Sequence, residues 1–424
     1  MFKPRIRRLI LTAALTLAAL PAAARDHWVS AAAASGDGSA ERPWPSVAAA
    51  LGSDTVRGGD RVLLQPGSYG DLTLTNRHFS PALTLMSAPG GRAHAERVVI
   101  KNSSGLILRD LNVWPRQDDP RKKGILVQAM EDTSGIVFDA LDIRGAHDAA
   151  NYLSWDARTW LDERRVGVRL GGRDGVLRGS VLTGVGGGVL LPGPGSKALG
   201  NEIRGFSKDG MRVFGSNAEI RGNVIRDCVK VDGNHDDGIQ SWVGKNNPDG
   251  AITGVVIDGN RIIEWTGPQD HPLRCTLQGI GLFTGPFRNW VIQNNLIAAR
   301  AHHGISMYDM HGARVVNNTV VNLFGKVGTS PWIQQDKSSR DGSNIIANNV
   351  AMQLRIGNKG RPLRNFKVGS MHDLFENPAV FDYRPRAGSA LIDAADPAFA
   401  PPHDIDGIPR PKGRAPDLGA YERP

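Results

Sequence analysis

The segment IRGNVI at residues 220–225 places an asparagine between two short apolar runs. The same arrangement returns as IDGNRI at 257–262 and as IQNNLI at 292–297. Further copies carry Asn201, Asn318 and Asn349, so that successive marked asparagines are 22, 37, 35, 23 and 31 residues apart. A unit of roughly 22 residues with occasional insertions is typical of a solenoid.

Each unit predicts short strands joined by tight turns. Val and Ile alternate over short runs, and Gly, Asn and Asp separate the runs. Asn tolerates a left-handed bend, and stacked asparagines can pass side-chain amide hydrogen bonds from one coil to the next. Leu111, Leu141 and Ser180 stand at the asparagine position in the earlier coils. We therefore expect a buried asparagine ladder in the middle and C-terminal half of the chain.

A second pattern, Gly-apolar-x-apolar, precedes the asparagine strands at 167–170, 210–213, 238–241, 279–282 and 304–307. With both patterns present, the chain resembles the right-handed parallel β-helix proteins of the pectate-lyase-like superfamily, over roughly residues 36–393. The resemblance implies an all-β solenoid with a short N-terminal capping helix and an irregular C-terminal tail. Most members of that superfamily act on acidic polysaccharides, so the resemblance also implies an acidic polysaccharide as the partner.

The chain divides into four predicted parts. Residues 1–24 have a basic head, an apolar run from 9 to 20 and an A-x-A site, as in a secretory signal peptide, so we expect export to the periplasm or the medium. Residues 25–74 form a cap and first strands, with a short helix around 45–51. Residues 75–376 form the β-helix, and 377–424 an irregular tail dense in Pro, Asp and Gly. DIDG at 404–407 is read as a structural turn.

The charge balance suits an anionic ligand. The formal charge of the 424 residues is +9, and it falls to +5 without Lys3, Arg5, Arg7 and Arg8. Net charge affects how the protein associates with charged ligands and gives no information about the fold. Basic residues are dispersed without a nucleic-acid motif, so we expect no nucleic-acid partner. No segment after the signal peptide is apolar for long enough to span a membrane, and we expect a monomer without an organic cofactor.

Four insertions between coils are expected to build the walls of a groove: 146–165, 227–238, 265–279 and 325–342. The first contains Tyr152, Trp155 and Trp160 among charges, a composition that suits stacking on sugars. Cys228 and Cys275 lie in the second and third insertions. In an oxidising compartment these two cysteines predict a disulfide between the loops.

The densest polar cluster is NHDDGIQSW at residues 234–242. Counting in register along the coils places Asp209, Asp237, Gln278 and His303 in one column, about 14 Å long at about 4.8 Å per coil. Arg212, Gln240 and Ser306 are expected to point outward from the same strands. This column is the predicted substrate site.

Elimination from a uronate requires a neutralised carboxylate and a base that removes the C5 proton. Asp209, Asp236 and Asp237 could hold a Ca²⁺ that bridges to the carboxylate, or Arg212 could bind it directly. The candidate bases are Lys208, Lys230, His235 and His303. The predicted catalytic residues are Asp237, Asp236, His235, Lys208, Arg212 and His303, and the predicted substrate-binding residues are Lys230, Gln240, Trp242, Arg274, Gln278, His302 and Tyr308.

Three alternatives stay open beside elimination. HDDGIQ and HHGIS resemble two motifs of the polygalacturonase-type glycoside hydrolases, in which Asp237 would be a catalytic aspartate and His303 the motif histidine. The coil between them reads LQG at 277–279 where an aspartate pair is expected, and NNTV at 317–320 lacks the basic motif. A C5-epimerase would share the first half of the elimination chemistry. A non-catalytic surface solenoid would bind polysaccharide without cleaving it.

Overall fold

The computed structural model of the protein describes residues 24–245, 247, 249–323, 331–357 and 363–423. The predicted signal peptide lies outside these residues, apart from Ala24. Helices are few and short: α-helices at Val47–Leu51, Ala157–Asp162 and Met371–Leu374, and 3₁₀ helices at Ala149–Ser154 and Pro378–Val380. Over the described part of the chain, none of the helices has the length and apolar character needed to cross a bilayer.

Three long parallel sheets contain most of the strands. Sheet 1 comprises Asp26–Val29, Arg61–Leu64, His78–Ser87, Ser104–Arg109, Val137–Asp139, Val176–Arg178, Lys197–Leu199, Glu219–Arg221, Val256–Asp258, Val291–Gln293, Arg314–Val316 and Ile345–Ala347. Sheet 2 comprises His94–Ala95, Asn112–Val113, Asp142–Arg144, Val181–Val185, Glu202–Phe206, Val224–Cys228, Arg261–Ile263, Leu296–Ala298, Thr319–Val321, Val350–Ala351 and Phe366–Lys367.

Sheet 3 comprises Asp71–Thr75, Arg97–Lys101, Ile125–Ala129, Val166–Leu170, Gly187–Leu191, Met211–Val213, Asp237–Trp242, Gln278–Thr284, His303–Met307, Trp332–Gln335 and Gln353–Arg355. A small parallel sheet contains Ile252–Thr253, Phe287–Arg288 and Met310–His311, and Phe375–Asn377 pairs antiparallel with Asp382–Pro385. Each coil passes through sheets 1, 2 and 3 in turn. The predicted all-β, right-handed parallel β-helix is confirmed.

A ladder of buried asparagines runs along the corner between sheets 1 and 2. The Nδ2 of each donates to the Oδ1 of the asparagine one coil further on, at 2.8 to 3.0 Å. The members are Asn201, Asn223, Asn260, Asn295, Asn318, Asn349 and Asn365. The backbone N–H of Ser180 donates to Asn201 and begins the ladder. The ladder therefore lies where the sequence predicts it, and Asn365 extends it by one coil.

The left-handed bend beside each rung falls on the residue that precedes the ladder asparagine. Gly222 and Gly259 have φ angles of 64° and 67°, and Asn294 and Asn317 each have 53°. Glycine and asparagine adopt this conformation at little cost. The bend turns the next side chain into the corner, where it can reach the neighbouring coil.

The glycines of the second sequence pattern are explained by packing across the core. A Cβ on Gly210, Gly238 or Gly279 would lie 2.5, 2.5 and 2.7 Å from the nearest atom of an isoleucine side chain of sheet 2. These isoleucines are Ile225, Ile262 and Ile297. Glycine at the start of these sheet 3 strands thus lets sheet 2 side chains pack directly against the backbone of sheet 3.

The N-terminal cap has the predicted short helix, Val47–Leu51. The Ser46 hydroxyl accepts a hydrogen bond from the Ala49 N–H at 3.1 Å, which satisfies a free amide of the first turn. Val47, Ala50 and Leu51 are buried against the entrance of the core. The helix therefore covers apolar surface that the first coil would otherwise expose.

The aromatic residues of the first insertion do not line a groove, contrary to the prediction. Tyr152, Trp155 and Trp160 are 6%, 5% and 0% exposed and pack in a second apolar cluster outside the main core. The Tyr152 hydroxyl donates to the Asp227 carboxylate at 2.7 Å. The insertion covers the outer face of sheet 2. This face carries apolar side chains, and their burial is favourable for the same reason as burial in the main core.

The C-terminal tail lies along the same side and contacts successive coils. Asn294 and Asn317 donate from their side chains to the carbonyls of His403 and Asp417, both at 3.1 Å. Asn348 exchanges two hydrogen bonds with Asp396, at 2.8 and 3.0 Å. The Asp404 carboxylate accepts the N–H groups of Asp406 and Ile408, so DIDG forms a turn.

Replacing Asn260 with Ala should lower the free energy of unfolding by about 3 kcal/mol or more, because the Asn223 N–H and the Ile220 carbonyl lose their buried partner. Urea unfolding followed by circular dichroism measures the loss. Asn112→Ala, on a half-buried sheet 2 position before the ladder begins, is the control and should change stability by less than about 0.5 kcal/mol. Equal losses in both variants would contradict a stabilising ladder.

Candidate functional site

The predicted column exists and lies where sheet 2 turns into sheet 3. Asp237 is paired in register with Gln278, and the pairing of Met211 with Ile239 and of Ile280 with Ile305 places Asp209 and His303 on the flanking rungs. Trp332 is paired with His303 and adds a further rung. The fourth insertion is thus shorter than predicted: 324–330 lie outside the described residues, and Trp332–Gln335 is a strand of sheet 3.

Asp237 is buried and has one oxygen without a partner. Its Oδ2 accepts from the Gln240 Nε2 at 2.9 Å, and its backbone N–H donates to the Asp209 carboxylate at 3.0 Å. Its Oδ1 makes no hydrogen bond with the described residues. Burial, with Asp209 and Asp236 nearby, raises the pKa of Asp237 to about 8. The carboxyl is therefore protonated at neutral pH, and the free Oδ1 is the atom that carries the proton.

A second unpartnered oxygen lies on the next rung. The Gln278 Oε1 is buried and makes no hydrogen bond with the described residues. Buried polar atoms are nearly always paired, so two exceptions on neighbouring coils make this part of the column the candidate ligand site. A Cβ on Gly281 would lie 2.5 Å from Asp237 Oδ1 and 2.3 Å from the Phe283 ring. The Phe283 ring and the free oxygen thus share the space above this glycine.

Asp209 and Asp236 are each engaged by a cation. Asp209 pairs with Arg212, and burial raises its pKa despite that partner. Asp236 accepts from the Lys230 Nζ at 3.1 Å and from Asn234 at 3.3 Å. Burial raises the pKa of Asp236 to about 6, against the opposing effect of Lys230.

The predicted disulfide joins Cys228 and Cys275, with the two Cα atoms 5.4 Å apart. Its sulfur atoms and a carboxylate oxygen of Asp236 lie within 4.8 Å of one another. Since the Asp236 carbonyl also accepts the Gln278 N–H at 2.9 Å, the disulfide holds the loop that begins the Asp237 strand against the next coil.

His303 lies in an aromatic environment at the end of the column. Its ring is 5.3 Å from Phe283, 5.1 Å from Trp332 and 4.4 Å from His302, between centroids. Burial lowers the pKa of His303 to about 4, and His302, His235 and Arg355 add to the effect. The imidazole is therefore neutral at ordinary pH.

Ser306 lies on the outward row, as the sequence predicts, but it is not exposed. It is fully buried, because Trp332 folds over it and donates from Nε1 to its Oγ at 3.0 Å. Arg212 and Gln240 do remain half-buried on the outward row, and Gln334 and Arg355 continue that row beyond Ser306.

Arg355 was missed by the sequence analysis. Its guanidinium lies 3.7 Å from the centroid of the Trp332 ring and makes no ion pair with a carboxylate of the described residues. Its positive charge helps to lower the pKa of His303. Its position in the outward row could have identified Arg355 from the sequence. The irregular spacing after residue 323 hides the register there.

The other predicted residues divide between the column and its surroundings. Trp242 is half-buried, 4.6 Å from Phe214 and 5.4 Å from the Arg212 guanidinium. Tyr308 accepts from Gln334 at 3.1 Å and lies beside Phe283, and His302 is exposed with its ring 4.5 Å from Trp332. Lys208 is half-buried and His235 exposed, and neither forms an ion pair within the described part of the chain.

Arg274 does not face the column, contrary to the prediction. It lies 3.5 Å from the buried Glu264 carboxylate, which Arg300 also binds at 2.5 Å. A fully buried carboxylate needs cationic partners, and Arg274 supplies one of them. Its role is to hold the third insertion.

The three aspartates expected to hold Ca²⁺ do not present a shared set of free oxygens. Arg212 occupies Asp209, Lys230 occupies Asp236, and burial keeps Asp237 protonated. Ca²⁺ takes six to eight oxygen ligands. Among the described residues, the group of three ligand atoms within 4.8 Å contains Asp236 and the two disulfide cysteines. The residues present therefore do not fit Ca²⁺ in this arrangement, and metal dependence stays a prediction.

Reduction of the disulfide should lower the free energy of unfolding by about 2 to 4 kcal/mol, because it closes a loop across 47 residues. Urea unfolding with and without a thiol reductant measures the change. The double variant Cys228→Ser/Cys275→Ser is the control and should be insensitive to the reductant, since the chain has no other cysteine. An unchanged unfolding midpoint of the natural protein would contradict the expectation.

Stability should depend on pH through Asp237. Because its pKa is raised on folding, the folded state binds this proton more tightly, and the contribution is lost as pH rises from about 4 through about 8. Asp237→Asn removes that titration. The Tm of the variant relative to the natural protein should therefore be higher at pH 9 than at pH 5. The same Tm difference at both pH values would show that Asp237 is not protonated when folded.

Comparisons with known proteins agree with this architecture. Residues 166–351 match the family model of the right handed beta helix region. The structure is similar to that of pectate lyase Pel9A, with 16% identity, a TM-score of 0.52, and coverage of 95% of this chain and 97% of that chain. It is also similar to XylC in complex with xylose, with 9% identity, a TM-score of 0.50, and coverage of 77% and 75%. A search of curated proteins found no significant match. The chain has the right-handed parallel β-helix fold.

Proposed function

We propose that the protein is an exported enzyme that cleaves an acidic, uronate-containing polysaccharide by β-elimination. The observation that carries this proposal is the pair of unpartnered buried oxygens, Asp237 Oδ1 and Gln278 Oε1. The protonated Asp237 carboxyl can donate a hydrogen bond from Oδ1 to a substrate carboxylate, whereas Gln278 Oε1 is an amide oxygen and can accept one from a sugar hydroxyl. The Phe283 ring, which shares the space above Gly281, moves aside to admit the sugar.

The surrounding charges suit an anion. Arg212 and Lys230 offset Asp209 and Asp236, and Asp237 is neutral, so these five groups sum to no net charge. Arg355 then remains as a cation without a carboxylate partner in the described residues. Its guanidinium can bind a carboxylate in bidentate fashion while Trp332 supports it. A polysaccharide with a charge on successive sugars would contact both ends of the column.

The elimination removes the proton from C5 of the bound uronate, forms the C4–C5 double bond and breaks the bond from C4 to the glycosidic oxygen. The leaving oxygen takes a proton from solvent. Neutralising the carboxylate acidifies the C5 proton, and a hydrogen bond from the protonated Asp237 stabilises the charge that develops on the carboxylate. Lys208 and His235 border the column without ion pairs in the described residues, so either can take up the C5 proton in its neutral form.

The comparison with a pectate lyase makes a polyuronate the first substrate class to test, because that enzyme shares this fold over nearly its whole length. Export rests on the predicted signal peptide at 1–24. We infer that the enzyme acts as a monomer, with the groove on sheet 3 open along the helix axis.

Glycoside hydrolysis is a second candidate because two carboxyls with raised pKa values lie side by side. Asp237 would donate the proton to the leaving oxygen, and Asp236 would act as base. The engagement of Asp236 by Lys230 makes this arrangement less suitable. A C5-epimerase would return a proton to C5 on the opposite face and leave the chain uncut.

The mature protein should release unsaturated products from polyuronates, seen as ultraviolet absorbance of the new double bond together with new reducing ends. Because Asp237 must be protonated, kcat/KM should fall above about pH 8. Asp237→Ala should lower kcat/KM on the order of 100-fold. Lys208→Ala and His235→Ala identify the base, with Arg288→Ala, at an exposed residue outside the column, as the control.

Each alternative has its own outcome. New reducing ends without ultraviolet absorbance would contradict elimination and indicate glycoside hydrolysis. Exchange of the C5 hydrogen without cleavage would indicate a C5-epimerase. Binding without turnover would leave a polysaccharide-binding solenoid. Full activity after treatment with a chelator would exclude a Ca²⁺ requirement.

A further inference from the structure

Ser306 is held between two polar side chains on neighbouring coils. It receives the Trp332 Nε1–H at 3.0 Å, and its Oγ lies 2.8 Å from the His303 Nδ1. The residue is 0% exposed. The three side chains therefore form a short hydrogen-bonded chain that ends at the imidazole in the column.

The direction of this chain follows from the chemistry of its members. An indole N–H can only donate, so the Ser306 oxygen is the acceptor from Trp332. The hydroxyl hydrogen of a buried serine needs an acceptor, and among the described residues the other polar atom within hydrogen-bond distance of Oγ is the His303 Nδ1. Ser306 therefore donates to Nδ1, and the neutral imidazole carries its hydrogen on Nε2.

The ring is also fixed in orientation. Phe283 and Trp332 meet it at interplanar angles of 88° and 81°, so a rotation of the imidazole would collide with one or the other. The Nε2, on the side of the ring away from Ser306, makes no hydrogen bond with the described residues. It is therefore free to donate to a ligand in the column.

We propose that His303 is a neutral hydrogen-bond donor to the substrate through Nε2–H, fixed in that tautomer by the positioning residues Trp332 and Ser306, and is not the base of the reaction. The tautomer stands on geometry alone, whereas its catalytic use rests on the proposed function. In an elimination, Nε2–H would stabilise the charge that develops on the substrate carboxylate, beside the protonated Asp237. The base must then come from another residue, such as Lys208 or His235.

The charges near His303 favour the same state. Burial is the largest cause of the low pKa of His303, and the neighbouring His302, His235 and Arg355 also disfavour the imidazolium. A hydrogen bond received at Nδ1 further opposes protonation there. The donor tautomer should therefore persist across the working pH range, which a histidine acting as base would not require.

Nitrogen-15 NMR of the histidine side chains tests the tautomer without any substrate. His303 is assigned by its loss in His303→Gln. His271 provides an internal standard for the Nε2–H form, because its Nε2 faces the Leu153 carbonyl at 2.8 Å and its Nδ1 accepts the Leu273 N–H at 3.2 Å. From pH 5 to 8, His303 should keep the Nε2–H pattern that His271 shows at pH 8, and Ser306→Ala should produce a mixture of tautomers.

A dominant Nδ1–H form, or an imidazolium at pH 6, would overturn the proposal. Trp332→Phe, which keeps an aromatic ring over Ser306 but removes the N–H, should also disturb the tautomer. If it does not, the direction assigned to the hydrogen-bonded chain is wrong. Unchanged circular dichroism of each variant verifies that the fold is kept.

Kinetics separate a donor from a base. The Gln side chain can still donate from its amide but cannot accept a proton, so His303→Gln should retain activity within about tenfold, whereas His303→Ala should lose on the order of 100-fold. Equal losses in the two variants would indicate a base and overturn the assignment. If the natural protein turns over no polysaccharide, the proposed function fails while the NMR result still decides the tautomer.

Discussion

The side-chain amides of the asparagine ladder hold the coils from Asn201 to Asn365 in register. Each amide donates to the next coil and accepts from the previous one, so a coil that slipped by one residue would leave several buried groups unpaired at once. Hydrophobic packing alone would not impose this restriction, because Val, Ile and Leu exchange places at little cost. The polar corner therefore fixes which residue of one coil lies beside which residue of the next.

The chemistry of the column follows from this register. Asp209, Asp237, Gln278 and His303 come from four coils, and consecutive members are 25 to 41 residues apart in sequence. Burial then gives them properties that none has in water: a carboxyl that keeps its proton to about pH 8, and an imidazole that stays neutral down to about pH 4. Both groups are uncharged at neutral pH, and cations lie around them. A site of neutral donors within positive surroundings is suited to an anion.

Features that depend on the repeat period could be predicted from the sequence. The burial of individual side chains could not, because it depends on which segments cover each surface. The ladder, the glycine pattern and the column could be counted from residue numbers. Tyr152, Trp155 and Trp160 look like sugar-binding aromatics in the sequence, but the outer face of sheet 2 buries them. Ser306 faces outward by alternation and is nevertheless covered by Trp332, whose strand could not be placed because the insertion before it hides the period. Arg355 escaped notice for the same reason.

A solenoid has open ends, and its last coils have neighbours on one side only, so they would be the first to fray. The C-terminal tail changes this, because Asn294, Asn317 and Asn348 each give a hydrogen bond to it from a different coil. The tail connects the last coils at the C-terminal end of the β-helix. One of these coils cannot unfold without also breaking the contacts that the tail makes with the others. Loss of the terminal coils thus becomes a single cooperative event, and the coils that carry His303 and Trp332 stay joined to the rest of the helix.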